Sequence, residues 1–285
     1  MDVRNLSGKT VLVTGAGSGI GKATALAFAR RGANLVICDV NETGLAEAAH
    51  EIRGLGREVL AQRVDVAERD QMRDFAAAVH AQVEAVDILM NNAGVGLSAG
   101  FLDTTLDDWD WITAINLRGV VHGCHFFVPP MVARGRGGHV INVSSSAGFA
   151  ATELLTAYST TKFAVLGLTE AMRDELGRHN IGVTAVCPGI INTAIVRTSR
   201  MRGLYATPET HQRMVEMFAR RNYTPERVAE NILKAVQRGR VVAPIAGEAW
   251  AMYYLKRFAP GLLAWINHKL GERMRREAEQ SARSA

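Results

Sequence analysis

Short, continuous apolar runs alternate along the chain with longer stretches in which apolar residues recur every three or four positions. TVLVT (10–14), NLVICD (34–39), EVLAQRVD (58–65), VDILMNNAG (86–94), GHVINVSS (138–145), GVTAVCPG (182–189) and RVVAPI (240–245) read as strands, some with their exit turns. Their apolar character is unbroken rather than alternating, as a parallel sheet covered on both faces requires. Helical period marks 20–32, the ETGLAEAAHEIRG and RDQMRDFAAAVHAQV stretches, the long LDDWDWITAINLRGVVHGCHFFVPPMV segment and TAYSTTKFAVLGLTEAMRDELG. This alternation predicts an α/β fold, a doubly wound parallel sheet flanked by helices, with right-handed crossovers.

The rhythm breaks twice. Residues 190–223 are more polar and less regular, until Thr224-Pro225-Glu226 opens a helix with an N-cap, a proline at the first helical position and an early carboxylate. Beyond the last strand, AWAMYYLKRFAPGLLAWINHKL (249–270) is dense in Trp, Tyr, Met and Leu and is split by Pro260. The chain therefore divides into a single domain over 1–245 and a C-terminal helical extension and tail over 246–285. Two short helices joined at Pro260 are expected over 246–270, because proline clashes inside one continuous helix. Ala251, Tyr254, Leu255 and Phe258 form one apolar stripe, and Leu262, Leu263, Ile266 and Leu270 another. Three placements suit such a segment: over the core or pocket, in a subunit contact, or on a membrane surface as a peripheral element. The first is preferred, since burial in the protein removes an exposed aromatic surface. The closing RMRREAEQSARSA reads as a fraying helix or a disordered tail.

Composition narrows the classes. With 285 residues, 48% of them hydrophobic and 21% charged, the chain can bury a substantial core. The net charge of +5 carries no dense basic run with interleaved aromatics, so no nucleic-acid partner is expected. Cys38, Cys124 and Cys187 are far apart in apolar stretches, the usage of buried thiols in a reducing compartment. No window reaches 18 uncharged apolar residues, and the first residues lack a leader's apolar core, so a cytoplasmic protein is expected. His122 and His125 sit in the long helix without ligand spacing, and no metal site is expected.

Candidate chemistry begins after the first strand, at Thr14-Gly15-Ala16-Gly17-Ser18-Gly19-Ile20-Gly21. Glycines there allow a tight turn and close approach of backbone to a pyrophosphate, and the following helix offers its free N–H groups to the phosphates. Asp39 ends the second strand, where a carboxylate can accept bonds from the adenosine ribose hydroxyls and would repel a 2′-phosphate. Val40 and Ser18 bring no neutralising cation, which favours NAD over NADP; Lys22 is the one basic residue close by. Tyr158 and Lys162 lie four apart on a helix and share a face. An ammonium beside a phenol lowers its pKa, and about three units, roughly 4 kcal/mol, would bring tyrosine near neutrality.

Taken together, TGAGSGIG (14–21), Asp39, Asp65-Val66, NNAG (91–94), Asn116, Ser145, YSTTK (158–162) and PGIINT (188–193) resemble the short-chain dehydrogenase/reductase family over roughly 6–245. The resemblance implies a Rossmann-type domain with a catalytic tetrad. In it Tyr158 is the general acid/base and Lys162 lowers its pKa and holds the nicotinamide ribose. Ser145 hydrogen-bonds the substrate oxygen, and Asn116 supports a proton relay. It also implies a cofactor cradle of Gly15, Gly17, Ser18, Gly19, Ile20 and Gly21, with Asp39 on the ribose and Asp65 and Val66 on the adenine. Asn92, Ala93 and Gly94 form the wall, and Pro188, Gly189, Ile191 and Thr193, with Tyr158 and Lys162, hold the nicotinamide side. The family spacing selects Ser145 over Ser144 and Ser146. Loops 95–102, 146–156 and 189–222 should wall the pocket, with Val95, Leu97, Phe101, Phe149, Leu154, Leu155, Met201, Leu204 and Tyr205. Few charges converge there apart from Glu153, Arg197, Arg200 and Arg202, so a mainly apolar secondary alcohol or ketone is expected. The family also implies a homo-oligomer, tetramer or dimer, through the helices at 103–128 and 152–178. Two alternatives stand beside an NAD-dependent enzyme: an NADP-dependent ketoreductase of the same fold and a catalytically silent nucleotide-binding regulator. The intact Asn116, Ser145, Tyr158 and Lys162 argue against the regulator.

Overall fold

The seven apolar runs become β1 (Thr10–Thr14), β2 (Asn34–Asp39), β3 (Val59–Arg63), β4 (Ile88–Asn91), β6 (Gly138–Val143), β7 (Ile181–Pro188) and β9 (Val242–Ile245) of one sheet. The strand order is β3-β2-β1-β4-β6-β7-β9, and every neighbouring pair is parallel. This is the Rossmann-like doubly wound architecture expected. A computed structural model, it describes the backbone of residues 2–284 and the side chains of 2–204 and 206–276. The winding leaves β1 toward β2 and β3, then returns to continue from β4. The topological switch therefore lies between β1 and β4, where ligands of such sheets bind.

Each face of the sheet is covered by helices bearing an apolar stripe. α1 (Gly19–Ala29), α2 (Glu42–Gly54) and α9 (Pro225–Gln237) close one core around Phe28, Val11, Ile37, Ile52 and Ile232. α3 (Arg69–His80), α5 (Gly119–Arg134) and α6 (Thr156–Gly177) close the other, where the Phe75 and Phe127 rings meet edge-on at 5.9 Å. Fully burying such a ring contributes about 1.5–3 kcal/mol. The expected long helix runs from α4 (Leu106–Thr113) into α5, with a π turn at Ala114–Arg118 that the sequence pattern did not announce. A π turn inserts one residue and re-aims the side chains around it.

The irregular stretch 190–223 proves partly ordered. It holds α7 (Ile195–Thr198), β8 (Arg200–Met201), a 3-10 turn at Gly203–Tyr205 and α8 (Pro208–Arg221). Strand β8 pairs with β5 (Leu97–Ser98) in a separate two-stranded sheet. The start of α8 was legible: Thr207-Pro208-Glu209 repeats the Thr-Pro-Glu signature of α9, and the Thr207 hydroxyl accepts the Thr210 N–H at 3.2 Å.

The extension forms α10 (Gly247–Phe258) and α11 (Pro260–Ser284), with the break where Pro260 demanded it. The stripes need correcting. Ala249, Met252, Tyr253 and Leu255 face inward, with Leu263 from α11, while Ala251, Tyr254, Phe258, Leu262 and Leu270 are exposed. Small Ala249 lets α10 close onto Ala185 and Cys187. The large Tyr254 ring instead stacks outward, between Trp250 and Phe258. Of the three placements the first holds for the inner face: Asn267 Nδ2 donates to the Ala151 carbonyl at 2.9 Å, and Arg275 pairs with Glu153. Among the described residues no helix is long and apolar enough to cross a membrane.

Candidate active site

The glycine loop is folded back on itself at the carboxyl end of β1. Gly19 takes a left-handed φ of +53°, and a Cβ on Gly21 would stand 2.1 Å from the Gly15 carbonyl oxygen, so α1 can begin only against bare backbone. Ser18 is exposed at the N-cap and makes no side-chain cap bond, leaving the first-turn N–H groups of α1 to an external acceptor. A phosphate group fits such a cradle. Asp39 is aimed by the same loop: its Oδ2 accepts the Gly17 N–H at 2.8 Å and its Oδ1 the Asn41 N–H at 2.9 Å. Lys22 points elsewhere, to Glu51 at 2.9 Å and Glu47 at 3.4 Å on α2, and these carboxylates raise its pKa.

The neighbouring strand ends carry the remaining expected cofactor residues. Asp65 Oδ1 accepts the Ala67 N–H at 2.9 Å, which fixes the turn presenting Val66. His122 Nδ1 lies 2.8 Å from the Val66 carbonyl, which can only accept, so Nδ1 carries the proton and the ring is a spacer. At β4 the Thr14 hydroxyl accepts two backbone amides, Asn92 at 3.0 Å and Ala93 at 3.1 Å. The Asn92 amide donates to the Thr14 and Gly15 carbonyls at 2.9 and 3.0 Å. Thr14 is thus a fastener between glycine loop and wall that motif reasoning passed over. Its signal is its place just before the first glycine.

Gly94 joins this wall to the polar cluster. A Cβ there would lie 3.1 Å from Asn116 Oδ1 and 3.4 Å from Lys162 Nζ. Asn116 sits in the π turn and clamps Val95 from both sides, accepting its N–H at 2.8 Å and donating to its carbonyl at 3.0 Å. Lys162 is 3% exposed, with Nζ donating to the Val143 carbonyl at 3.0 Å, and burial pulls its pKa down to about 8. Its ammonium stands 5.6 Å from the Tyr158 ring centre. The phenol pKa is raised, not lowered: desolvation dominates, and a hydrogen bond with Ser145 opposes it. The expectation that Lys162 lowers Tyr158 is therefore not met by the chain's own groups, because burial of the phenol itself dominates. Ser145 Oγ accepts the Ala147 N–H at 3.1 Å, whereas Ser144 Oγ turns away to donate to the Lys162 carbonyl at 2.7 Å.

Pro188 ends β7, Ile191 is buried, and Thr193 Cβ comes within 3.5 Å of the position a Gly19 Cβ would take. The loop 188–193 thus runs from the strand end to the glycine loop. Gly189 donates to the Ile245 carbonyl at 3.0 Å, and Ile190 donates to Glu248 of α10 at 3.0 Å. The expected pocket walls are altered. Phe149 is covered by Tyr253 at 5.7 Å, Leu97 is buried, Phe101 is 68% exposed, and the Tyr205 side chain lies outside the described residues. Three of the expected charges are spoken for: Glu153 pairs with Arg275, and Arg202 grips buried Asp108 through both oxygens at 2.8 and 2.9 Å. Arg200 approaches Asp108 at 3.4 Å and lies 3.6 Å over the Trp111 ring. That contact holds Asp108 near pKa 2, Arg202 foremost. Asp108 and Glu248 were not singled out from sequence, since their partners are distant in the chain. Among the described residues no group of three His, Cys, Asp or Glu could hold a metal.

The family model for short chain dehydrogenases matches residues 9–202. Oxidoreductase EphD of Mycobacterium tuberculosis is 42% identical over 261 residues, covering 89% of this chain; the chain spans 43% of that protein's length. Oxidoreductase SadH of the same species is 37% identical over 257 residues, covering 89% of this chain and 91% of SadH. A short chain dehydrogenase/reductase from Burkholderia phymatum, solved in complex with NAD, superposes with a TM-score of 0.81 at 28% identity, over 92% of this chain and 96% of that one.

Proposed function

The chain belongs to the short-chain dehydrogenase family of oxidoreductases, and we propose that it transfers hydride between NAD(H) and a mainly apolar secondary alcohol or ketone. One observation carries the reading: Asn116 Oδ1 and Lys162 Nζ both lie within 3.4 Å of where a Cβ on Gly94 would stand, with Tyr158 and Ser145 paired beside them, at the carboxyl ends of the strands. Bound NAD would supply the hydride acceptor that side chains lack. The residues suited to hold it are Gly15, Gly17, Ser18, Gly19, Ile20 and Gly21 for the pyrophosphate, Asp39 for the ribose and Asp65 and Val66 for the adenine. Asn92, Ala93, Gly94, Pro188, Gly189, Ile191 and Thr193 take the nicotinamide half.

In oxidation, the Tyr158 oxygen takes the proton of the substrate hydroxyl while Ser145 Oγ holds the substrate oxygen; in reduction Tyr158 returns it. Burial keeps Tyr158 a phenol in the chain alone, poised as an acid, so its ionisation waits on added positive charge. Asn116, by clamping Val95, keeps Gly94 close to the lysine and fixes the pocket's inner wall.

The preference for NAD rests on Asp39, whose oxygens are held by the Gly17 and Asn41 amides, and on Lys22, which α2 engages. An apolar substrate suits pocket loops whose Arg200 and Arg202 are both engaged by Asp108. The same reading takes 1–245 as the catalytic domain and 246–285 as its extension. It takes the chain to act as a dimer or tetramer through α5 and α6, whose Val121 and Phe163 are exposed at 42% and 37%. The test is a screen of secondary alcohols with NAD and with NADP, followed by absorbance of the reduced cofactor. Turnover with NAD on bulky apolar alcohols is expected; a consistent preference for NADP, or no turnover with either cofactor, would overturn it. Light scattering should give a mass above the 30.9 kDa of one chain.

A further inference from the structure

Building on the reading that 188–193 holds the nicotinamide half of the cofactor, we propose that Glu248, in the first turn of α10, is a positioning residue for that loop. Through Arg221 it also couples the loop to the end of α8. Glu248 Oε1 accepts the Ile190 N–H at 3.0 Å, and its other oxygen pairs with Arg221, the last residue of α8. With both oxygens engaged, Glu248 orients backbone.

Three features show that the surrounding chain is shaped around this carboxylate. Gly189 has an ordinary φ, so no left-handed turn requires glycine there; a Cβ at 189 would stand 2.4 Å from Glu248 Oε1. Glycine at 189 thus makes room for the glutamate. Ala246, which turns the chain from β9 into α10, has φ +80° and ψ 156°, a region comfortable only for glycine. That strained turn delivers Glu248 beneath the loop. Finally, α8 buries none of its residues, so polar ties at its ends hold it. At its start His211 reaches the Val196 carbonyl at 3.1 Å; past its end Asn222 takes φ +46°, and Asn192 donates to the Tyr223 carbonyl at 3.2 Å. Arg221 and Tyr223 therefore grip the loop's two sides, one through Glu248 and one through backbone.

This arrangement predicts that Glu248 acts on the nicotinamide half of the site and leaves the adenine half alone. The test is titration calorimetry with NADH and with ADP-ribose, which lacks the nicotinamide, together with nicotinamide emission on binding. Wild type, Glu248→Ala, Glu248→Gln, Arg221→Met and Gly189→Ala are compared. Glu248→Ala should weaken NADH about tenfold, the scale of a lost hydrogen bond to a charged group, and reduce the emission change. ADP-ribose affinity should stay within about twofold of wild type, since its contacts lie elsewhere. Glu248→Gln, whose amide oxygen can still accept from Ile190, should recover most of the affinity. Gly189→Ala should imitate Glu248→Ala, and Arg221→Met should fall between. Equal weakening of both ligands, the mark of a merely structural role, would overturn the proposal, as would unchanged NADH binding in Glu248→Ala. If wild type itself produces no nicotinamide emission change, the underlying reading of 188–193 fails instead, a result visible before any variant is made.

Discussion

Two regions line the carboxyl edge of the sheet, and they are held in different ways. On the β1–β4 side the ties join the ends of strands already paired in the main sheet and involve backbone: Asp39 accepts from Gly17 and Asn41, Thr14 from Asn92 and Ala93, and Asn92 donates to Thr14 and Gly15. On the side formed by 190–205, α8 and the extension, the ties join loops and helices that lie outside the main sheet. Asp108 reaches Arg202 over 94 positions, Ile190 reaches Glu248 over 58 and Asn267 reaches Ala151 over 116. The first region is a frame placed by the register of neighbouring strands. The second depends on loop and helix contacts outside that register, and its loops can vary without disturbing the frame. The adenine and pyrophosphate end of the cofactor reading belongs to the frame; the nicotinamide loop at 188–193 and the substrate reading belong to the assembled side.

The largest expected effect breaks the chemistry while sparing the frame. Tyr158→Phe should cut turnover by at least about 10²–10⁴-fold, the contribution of a positioned acid/base, with NAD affinity nearly unchanged. Steady-state rates and direct NAD titration of the same preparation check it. Near-normal turnover in a folded variant would remove Tyr158 from the mechanism.

The same contrast explains what could be read in advance. All seven strands of the main sheet, the glycine loop and Asp39 follow from continuous apolar runs and glycine spacing, and Tyr158 with Lys162 from one helix face; the wall at 92–94, Asn116 and Ser145 came only with the family resemblance. The clasp of Asp108 with Arg200 and Arg202 leaves no such trace: each partner looks like an ordinary surface charge until β5 and β8 bring them together. The stripe on α10 was misjudged because 249–258 is apolar nearly all round, so helical spacing fits more than one face. The close approach belongs to Ala249, whose smallness is what permits it. Tyr158 is a third case, since residue type alone does not reveal that desolvation outweighs a lysine 5.6 Å away.

A next, smaller effect asks whether the extension belongs to the assembled side or merely lies on it. Leu263 is 4% exposed, packed with Phe149 and Cys187, while Trp265 two positions on is 59% exposed. Leu263→Ala should cost about 2–3 kcal/mol, near the low end for a buried leucine. Trp265→Ala should stay within about 0.5 kcal/mol, as exposed substitutions do. Urea unfolding of both variants decides. Equal, small effects would detach the extension from the folded unit.

Returning to the frame, Asp39→Ala should narrow the ratio of kcat/KM for NAD over NADP by about tenfold, the scale of hydrogen bonds to a charged group together with lost repulsion. Kinetics with one good alcohol and both cofactors give the ratio directly. An unchanged ratio would move the cofactor choice to residues other than Asp39, with Lys22 excluded only so long as Glu47 and Glu51 retain it.

The smallest effect tests whether the Asp108 clasp holds the assembled side together. Arg200 and Arg202 donate their backbone N–H groups to the Gly96 and Ser98 carbonyls at 3.1 and 3.0 Å, so those two amides report on the β5–β8 pairing. Asp108→Asn removes the charge that the two guanidiniums share and should speed exchange at both amides a few-fold at neutral pH, in keeping with loss of a pair to half-exposed arginines. Amides of β1 and β4 should exchange as before. The sign of the pH dependence is fixed by the lowered pKa. Asp108 falls from 3.8 unfolded to about 2 folded, so its contribution is complete above about pH 4 and is lost as pH drops through about 2. Wild type and Asp108→Asn should therefore differ at pH 5 and converge as the pH approaches 2, wherever the sheet still protects its amides. If the Arg200 and Arg202 amides exchange alike in both proteins at pH 5, the clasp is incidental and the β5–β8 pair is held by its backbone bonds alone.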